Sequence, residues 1–190
     1  EAVARGYWGL ENLSHIPGSV GATPVQNVGA YGVEVGNLIS LVRVFDRTTE
    51  SFTTLSGTDC AFGYRDSRFK HAEGQHYIIT AVTFMLSRTP LPQVMYKDLA
   101  DRFREVTPTL ALVREAIIEI RSKKFPDWHT VGTAGSFFKN PIIEKSHYEE
   151  LLRSYPELPG YAADSGVVKV PLGWILDRVL QLRGQGSETV

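Results

Sequence analysis

The sequence predicts an α+β fold, because strand patterns dominate its first half and helix patterns its second. Apolar runs rich in β-branched and aromatic residues lie between residues 38 and 87, and apolar residues at helical spacing follow residue 107. Residues 6–36 hold seven of the 17 glycines, so no long helix or strand is expected there. We expect two domains, with a boundary between Ser87 and Pro126.

Three segments predict the sheet. The first is LISLVRVFD (residues 38–46), and SFTTLS (residues 51–56) follows after the polar linker RTTE. The third is HYIITAVTFMLS (residues 76–87), which is rich in residues that favour strands. Because the first two are joined by a short polar linker, an antiparallel sheet is expected.

Apolar periodicity predicts the longest helix, through Leu110, Val113, Ile117 and Ile120. Thr107 is its predicted N-cap, Pro108 would occupy the first helical position, and Pro126 requires the helix to end before it.

Two further helices are predicted downstream. Ser146 and Glu149 form a possible capping box for a helix through Leu152. The last helix would end near Gly184, and its apolar positions are Leu172, Ile175, Val179 and Leu182.

Composition excludes several classes of protein. Lys and Arg total 20 against 21 Asp and Glu, so the net charge of -1 offers no broad basic surface for nucleic acid. The single cysteine, Cys60, excludes an internal disulfide and a cysteine-built metal site, and we expect it to be a small buried residue. Apolar runs such as AVTFML are too short to span a bilayer, and the first residues lack a signal-peptide pattern. A cytoplasmic enzyme or binding domain without a metal is expected.

The glycine-rich loop is the first candidate site. Glycines at positions 18, 21, 29 and 32 would let the backbone approach a ligand closely and present N–H groups to a diphosphate. A purely structural turn explains the same spacing equally well. The loop has neither the Rossmann glycine pattern after a strand nor the P-loop Gly-Lys-Ser/Thr.

A second candidate is Ser136, in the stretch HTVGTAGSFFKNP. Gly-Ser pairs more often belong to turns than to catalytic sites, so this serine alone does not predict catalysis.

Three segments in this order carry a family resemblance: GLENLSHIPGSVGATPVQNVGAYGVE, FGYRDSRFK and GTAGSFFKNP. Together they resemble the UDP-N-acetylenolpyruvoylglucosamine reductase family, over essentially the whole chain. The resemblance implies a bacterial cytoplasmic flavoenzyme, expected to be a monomer, that acts in peptidoglycan synthesis. NADPH would reduce FAD, and the flavin would then reduce the enolpyruvyl double bond of UDP-N-acetylglucosamine enolpyruvate to give UDP-N-acetylmuramate.

The resemblance also implies a domain order. Residues 1–94 would form the latter part of a two-subdomain FAD-binding domain of the vanillyl-alcohol-oxidase type, residues 95–125 a connecting loop and helix, and residues 126–190 an incomplete α+β substrate-binding domain. Family members begin with a further small α/β portion and end with a catalytic glutamate, which are not visible here. The expectation is therefore a chain truncated at both ends.

The resemblance assigns functional roles to residues of this sequence, one motif at a time. Arg65 matches the arginine that meets the substrate carboxylate, and Ser136 the acid that protonates C2 after hydride from flavin N5 reaches C3. The implied FAD contacts are Ile16, Pro17, Gly18, Gly21, Thr23, Val28 and Gly32. The implied substrate contacts are Tyr64, Tyr96, Lys124, Asn140 and Tyr161.

Tyr96 and Tyr161 place the chain nearer the family's first type, which carries an extra loop and a closing tyrosine. Two alternatives stay open. One is a carbohydrate oxidase of the same flavin superfamily, against which AGSFFKN argues, and the other is a non-catalytic module that binds a UDP-sugar.

Overall fold

The computed structural model describes residues 1–132, 137–163 and 165–186. It divides into two compact units, Glu1–Gly132 and Thr133–Val190. The mixture of strands and helices confirms the predicted α+β class. Which ligand each part of the chain binds stays a prediction.

The first unit is built on an antiparallel sheet in the order β4-β3-β5. The strands lie within the predicted segments: β3 is Ile39–Asp46, β4 is Ser51–Ser56 and β5 is Tyr77–Phe84. The side chains of Val42 and Val44 are fully buried, whereas Leu41 before them and Arg43 between them are exposed. This alternation places the core on one face of the sheet, as the period of a strand requires.

The core under the sheet consists of aliphatic side chains and the one cysteine. Cys60 is buried beside Val35 and Leu55, as expected for a small apolar residue. Burial raises the pKa of its thiol to about 11, so the thiolate is not formed near neutral pH. The role of Cys60 is therefore packing.

A short hairpin precedes the sheet. Its strands are β1 (Gly29–Ala30) and β2 (Val33–Glu34), which pair in antiparallel register. Tyr31 and Gly32 form the turn, with φ of 48° and 84°. Positive φ at both central residues is typical of the two-residue turns that match the twist of a hairpin.

Single turns of 3₁₀ helix connect these elements, as expected for a segment in which glycines prevent long helices and strands. They are Val3–Arg5, Glu11–Leu13, Val20–Ala22, Val35–Leu38 and Arg68–Lys70.

Two helices complete the first unit: α1 (Lys97–Arg102) and α2 (Leu110–Lys124). They pack through a second core cluster, in which Leu99, Ala116 and Ile117 are fully buried. As predicted, α2 ends before Pro126.

The predicted N-cap of α2 was wrong. The cap is Thr109, whose side-chain oxygen accepts a hydrogen bond from the N–H of Leu112 at 3.3 Å. A proline disfavours helical backbone in the residue before it, so Pro108 turns Thr107 away from the helix. The helix therefore begins two residues after the proline, at Leu110.

We expect Thr109→Ala to lower the free energy of unfolding by about 1 kcal/mol, because an N-cap hydrogen bond is lost. Thr107→Ala is the matched control and should change stability by less than about 0.5 kcal/mol. Chemical denaturation of the two variants measures both values. A larger effect at Thr107 would contradict the assignment of the cap.

The second unit contains a small antiparallel sheet in the order β6-β8-β7, with helices packed on it. Its core consists of Leu158, Val168 and Val170, against which Tyr148 packs while its hydroxyl donates to the Leu158 carbonyl at 2.7 Å. Its elements are β6 (Ile142–Glu144), α3 (Lys145–Ser154), β7 (Tyr161–Ala162), β8 (Val167–Lys169) and α4 (Leu172–Trp174).

The predicted capping box of α3 was wrong as well. Strand β6 runs directly into the helix, so Glu144 is the N-cap and Ser146 already lies in the first turn. A capping-box serine must itself precede the helix, and therefore Ser146 cannot serve.

The last predicted helix is shorter than its apolar repeat suggested. After α4 the chain forms a wide turn, Ile175–Val179, in which the N–H of Leu180 donates to the Ile175 carbonyl. Gln181 then has a φ of 54°, a left-handed conformation that ends the helix before Gly184. The repeat fails because Leu182 is exposed.

None of the helices in the described part of the chain has the length and apolar character needed to cross a membrane. Within the same residue ranges, no group of three or more His, Cys, Asp or Glu side chains is arranged to hold a metal ion.

Candidate functional site

The hairpin of β1 and β2 is the centre of the candidate site in the first unit. Arg65 meets its strands, and Tyr96 meets Tyr31 at its turn. Val28 and Gly32, two of the predicted flavin contacts, belong to the same short segment. The structure therefore gathers residues from all three predicted sets around one hairpin.

Arg65 is held by four contacts. Its Nη1 donates a long hydrogen bond to the Asn27 carbonyl, at 3.5 Å. Its Nη2 donates to the Gly29 carbonyl at 2.5 Å, and its Nη1 lies 3.7 Å from Oε1 of Glu34. Its guanidinium carbon lies 5.2 Å from the ring centroid of Tyr64. Two carbonyls, a carboxylate and an aromatic ring thus fix the position of a group that has five donors in one plane.

Gly29 leaves the space that Arg65 occupies. A Cβ at this position would lie 2.6 Å from Nη1 of Arg65 and 3.1 Å from the Val33 carbonyl oxygen. Any larger residue would therefore displace either the guanidinium or the partner strand. The glycine is required here for a close approach between groups of this protein, not only for a ligand.

A buried asparagine supports the hairpin. The Oδ1 of Asn27 accepts from the Gly36 N–H at 2.8 Å, and its Nδ2 donates to the Gly63 carbonyl at 2.8 Å and to Oε2 of Glu34 at 3.1 Å. Gly63 in turn pairs with Asp66 in a short antiparallel bridge that encloses Tyr64 and Arg65. Asn27 therefore joins the hairpin to the turn that carries Arg65.

Two tyrosines pack at the tip of the hairpin. The rings of Tyr31 and Tyr96 meet edge to face, with centroids 5.3 Å apart. Burial raises the pKa of the Tyr31 hydroxyl, and the nearby cations Arg121 and Lys124 act in the opposite direction. Asn12 is fully buried and donates from Nδ2 to the carbonyls of Tyr31 and Gln93, both at 2.8 Å. It thereby joins the tip to the segment that precedes α1.

Lys124 lies near these tyrosines at the end of α2. Its ammonium forms an ion pair with Asp98 of α1. The hydrogen bond to Asp98 is the main cause that raises the pKa of Lys124, and Tyr31 and Tyr96 contribute in the same direction. The amine is therefore charged at neutral pH, and the Asp98 carboxylate already binds it.

The predicted flavin loop contains backbone donors without a partner. The N–H groups of residues 18–21 have no hydrogen-bond acceptor among the described residues, although the Val20–Ala22 turn closes behind them. Gly18 has a φ of 117°. The N–H of Val28 donates to the Thr23 carbonyl at 3.1 Å, which fixes the end of this loop to the start of the hairpin.

The same turn borders an open depression of about 440 Å³. Gly21 and Ala22 form one part of its wall, and Phe69 and Tyr77 are among the other residues that line it. A Cβ at Gly21 would meet the Ile79 carbonyl oxygen only at 3.8 Å, an ordinary contact. The fold itself therefore does not require glycine at position 21. Ile16, half-buried, and Pro17, exposed, precede this turn.

The remaining predicted residues belong to the second unit. The Oδ1 of Asn140 accepts a hydrogen bond from the N–H of Leu172 at 3.0 Å, so this side chain supports the start of α4. Tyr161 lies in β7 with 56% of its surface exposed. Ser136 lies outside the described residues.

Four supporting residues were not predicted from the sequence. They are Asn27, Glu34, Asp98 and Gly29, the last in its role of leaving space for Arg65. A local signal could have found Asn27, because asparagine is several-fold enriched at positive φ. Asn27 has a φ of 44° and lies two residues before Gly29. The other three depend on contacts between distant parts of the chain.

Several proteins of known name are similar to this chain in sequence or in fold. No family model matches the chain. The UDP-N-acetylenolpyruvoylglucosamine reductase of Cupriavidus pinatubonensis is 49% identical over 180 residues, which are 93% of this chain and 53% of that protein. The enzymes of the same name from Neisseria meningitidis serogroup A and Aliivibrio fischeri are 46% and 44% identical, over 93% and 92% of this chain.

One solved structure shares the fold. The crystal structure of UDP-N-acetylenolpyruvylglucosamine reductase (MurB) from Thermus caldophilus matches with a TM-score of 0.53 and 21% identity. The match covers 97% of this chain and 63% of that one.

These relatives are all named as reductases. Over 93% of its length the chain is similar to UDP-N-acetylenolpyruvoylglucosamine reductases, at 46–49% identity, which confirms the resemblance of its three motifs. The chain spans about half the length of the curated relatives it matches.

Proposed function

We propose that this chain carries the catalytic arginine and proton donor of an NADPH-dependent flavoenzyme that reduces UDP-N-acetylglucosamine enolpyruvate to UDP-N-acetylmuramate. The contacts that hold Arg65 at the β1–β2 hairpin are the observation that carries the proposal, since they fix a planar cation beside the predicted flavin segment. The product would serve peptidoglycan synthesis in the bacterial cytoplasm, and we expect the enzyme to be a monomer.

FAD would be held by the glycine-rich loop. The unpaired N–H groups of residues 18–21 fit the oxygens of a diphosphate, and Gly21 leaves room that the fold itself does not use. Thr23, Val28 and Gly32 would extend this contact toward Arg65. When bound and reduced by NADPH, FAD supplies the hydride, from flavin N5 to C3 of the enolpyruvyl group.

Arg65 would bind the substrate carboxylate. The described residues offer no acceptor to its Nε–H, while Gly29 and Glu34 hold its Nη atoms. The remaining N–H groups fit a carboxylate oxygen and the negative charge that develops next to it during reduction. Tyr64 would form a wall on one face of the guanidinium.

Ser136 would protonate C2 of the substrate. A hydroxyl is a weak acid, so it can act only on a strongly basic, enolate-like carbon, with cations nearby to stabilise the alkoxide. Its assignment depends on the match of GTAGSFFKNP to the family motif.

The UDP diphosphate would be met by Lys124, with Tyr96, Asn140 and Tyr161 as further contacts. Lys124 is charged, and the exposed ring of Tyr96 lies against Tyr31 near it. A near-neutral chain must concentrate its positive charge at one place to bind a diphosphate, and α2 ends with Arg121, Lys123 and Lys124.

Two measurements test the proposal. The first is titration of the chain with FAD, in which quenching of flavin fluorescence is expected. The second uses a chimera in which this chain replaces the matching residues of the Cupriavidus pinatubonensis reductase. We expect NADPH oxidation that depends on the enolpyruvyl substrate. Oxygen consumption with a free sugar would instead indicate a carbohydrate oxidase, and UDP-sugar binding without turnover would indicate a non-catalytic module.

Lys124→Ala in this chimera should raise KM for the UDP-sugar roughly 10-fold and leave kcat nearly unchanged, because a charged hydrogen bond remote from the reacting carbons contributes equally to ground and transition states. Lys123→Ala is the matched control: Lys123 is also ion-paired, with Glu119 at 2.7 Å, but its side chain is 74% exposed and the family resemblance implies no ligand contact for it. Steady-state kinetics measures both variants. An unchanged KM in Lys124→Ala would remove this residue from the substrate site.

A further inference from the structure

We infer that Glu34 is a positioning residue for Arg65, an inference that rests on the proposed function of that arginine. Glu34 lies in β2, directly opposite Gly29 in the register of the hairpin. Its Oε1 faces Nη1 of Arg65, while Gly29 holds Nη2. The two strands of one hairpin thus hold the two ends of one guanidinium.

Two points of attachment are needed to fix the plane of the guanidinium. Without Glu34, the guanidinium would keep the hydrogen bond from Nη2 to the Gly29 carbonyl and a long one, 3.5 Å, from Nη1 to the Asn27 carbonyl, which would restrain its rotation only weakly. The carboxylate on Nη1 opposes this rotation, and the Tyr64 ring limits movement out of the plane. Bidentate recognition of a carboxylate depends on this orientation.

The carboxylate of Glu34 is itself fixed. Its second oxygen, Oε2, accepts a hydrogen bond from Nδ2 of the buried Asn27. The backbone of Glu34 is fixed as well, because β2 pairs with β1. Most exposed ion pairs lack such support and contribute little. Here the side chains of Arg65 and Glu34 are 30% and 36% exposed, so the pair is partly shielded from water.

One oxygen of Glu34 thus accepts a hydrogen bond from Asn27, and the other forms an ion pair with Arg65 at 3.7 Å. This arrangement suits a residue that orients Arg65 and not one that exchanges a proton with the substrate. The negative charge of Glu34 attracts one end of the guanidinium and so orients it; it is not needed to keep Arg65 protonated, because arginine stays protonated with or without a carboxylate.

The first test uses the chain as it is. In the ¹⁵N spectrum of its arginine side chains, we expect separate Nη signals for Arg65, since rotation of the guanidinium is restricted. Glu34→Gln, which keeps the size of the side chain, should average these signals, and Glu73→Gln, at an exposed glutamate, should not. Unchanged Arg65 signals in Glu34→Gln would overturn the inference, whatever the activity.

The second test is kinetic and uses the chimera. Glu34→Gln should lower kcat between roughly 10-fold and 10²-fold, as expected when a catalytic group is misplaced, with FAD affinity unchanged within about twofold. Glu34→Asp keeps the charge but withdraws it by one methylene, so its loss should be intermediate. It also serves as the variant of choice if the glutamine variant does not fold.

A double-mutant cycle separates positioning from a general loss of structure. In the background of Arg65→Lys, Glu34→Gln should reduce kcat by less than about twofold further, because the group that it positions is already gone. Additive losses would overturn the inference. If the unsubstituted chimera shows no turnover, the proposed function fails, while the spectra still decide whether Glu34 orients Arg65.

Discussion

Arg65→Lys should lower turnover of the chimera on the order of 10²-fold and leave its affinity for FAD within about twofold. Lysine keeps the positive charge but replaces a planar fork by a point charge on a flexible stem. It cannot bind the Gly29 carbonyl and Glu34 and, in the same plane, a substrate carboxylate. The expected defect is therefore in the chemical step, measured as kcat per bound flavin.

The matched control is Arg43→Lys. Arg43 is also an arginine over an aromatic ring, 4.3 Å from the centroid of Phe52, but it lies on the exposed face of the sheet. We expect its turnover and FAD affinity to equal those of the unsubstituted protein. A collapse of FAD affinity in Arg65→Lys, with normal turnover per bound flavin, would show that Arg65 belongs to the cofactor site.

The central sheet could be predicted from the sequence because each of its strands is a run of residues that favour extended backbone. Residues of β3 alternate between buried and less buried positions over Val42–Val44, and the predicted segments contain all three observed strands, although β4 begins with four exposed residues. The ends of the helices were predicted less well. Which threonine caps α2 depends on how Pro108 orients its neighbours, and the start of α3 depends on a strand that pairs with residues beyond position 166.

The last helix shows a limit of periodicity. Apolar residues at 172, 175, 179 and 182 fit a helical face, yet the backbone leaves the helix before Gln181. A repeat predicts a helix only where every member is buried on one surface. Leu182 is exposed, so no packing compensates for continuing the helix.

The candidate site was predicted in part, and by motif matches, not by spacing. Arg65, Tyr96 and Lys124 come from three separate segments, and no local pattern places them around one hairpin. Glu34 pairs with Arg65 and Asp98 pairs with Lys124. In the sequence these two acidic residues look like ordinary surface residues, and only the tertiary contacts show what they support. The resemblance supplied the residues proposed to meet a ligand, and the structure supplied the residues that hold some of them.

Ser136→Ala in the chimera should leave reduction of the flavin by NADPH nearly intact and slow its reoxidation by the enolpyruvyl substrate. The first half-reaction needs no proton from this hydroxyl. In the proposed mechanism the second does, because C2 would require a proton after hydride reaches C3, and a positioned acid contributes on the order of 10²–10⁴-fold. Stopped-flow absorbance of the flavin follows the two half-reactions separately.

Two variants sharpen this measurement. Ser136→Cys keeps an ionisable proton at a similar reach, so it should retain more of the second half-reaction than alanine does. Ser146→Ala is the control, since that exposed serine lies in the first turn of α3 and neither half-reaction should change. Equal losses in both half-reactions for Ser136→Ala would instead make Ser136 a structural turn residue, because a proton donor to C2 has no part in the reduction of the flavin by NADPH.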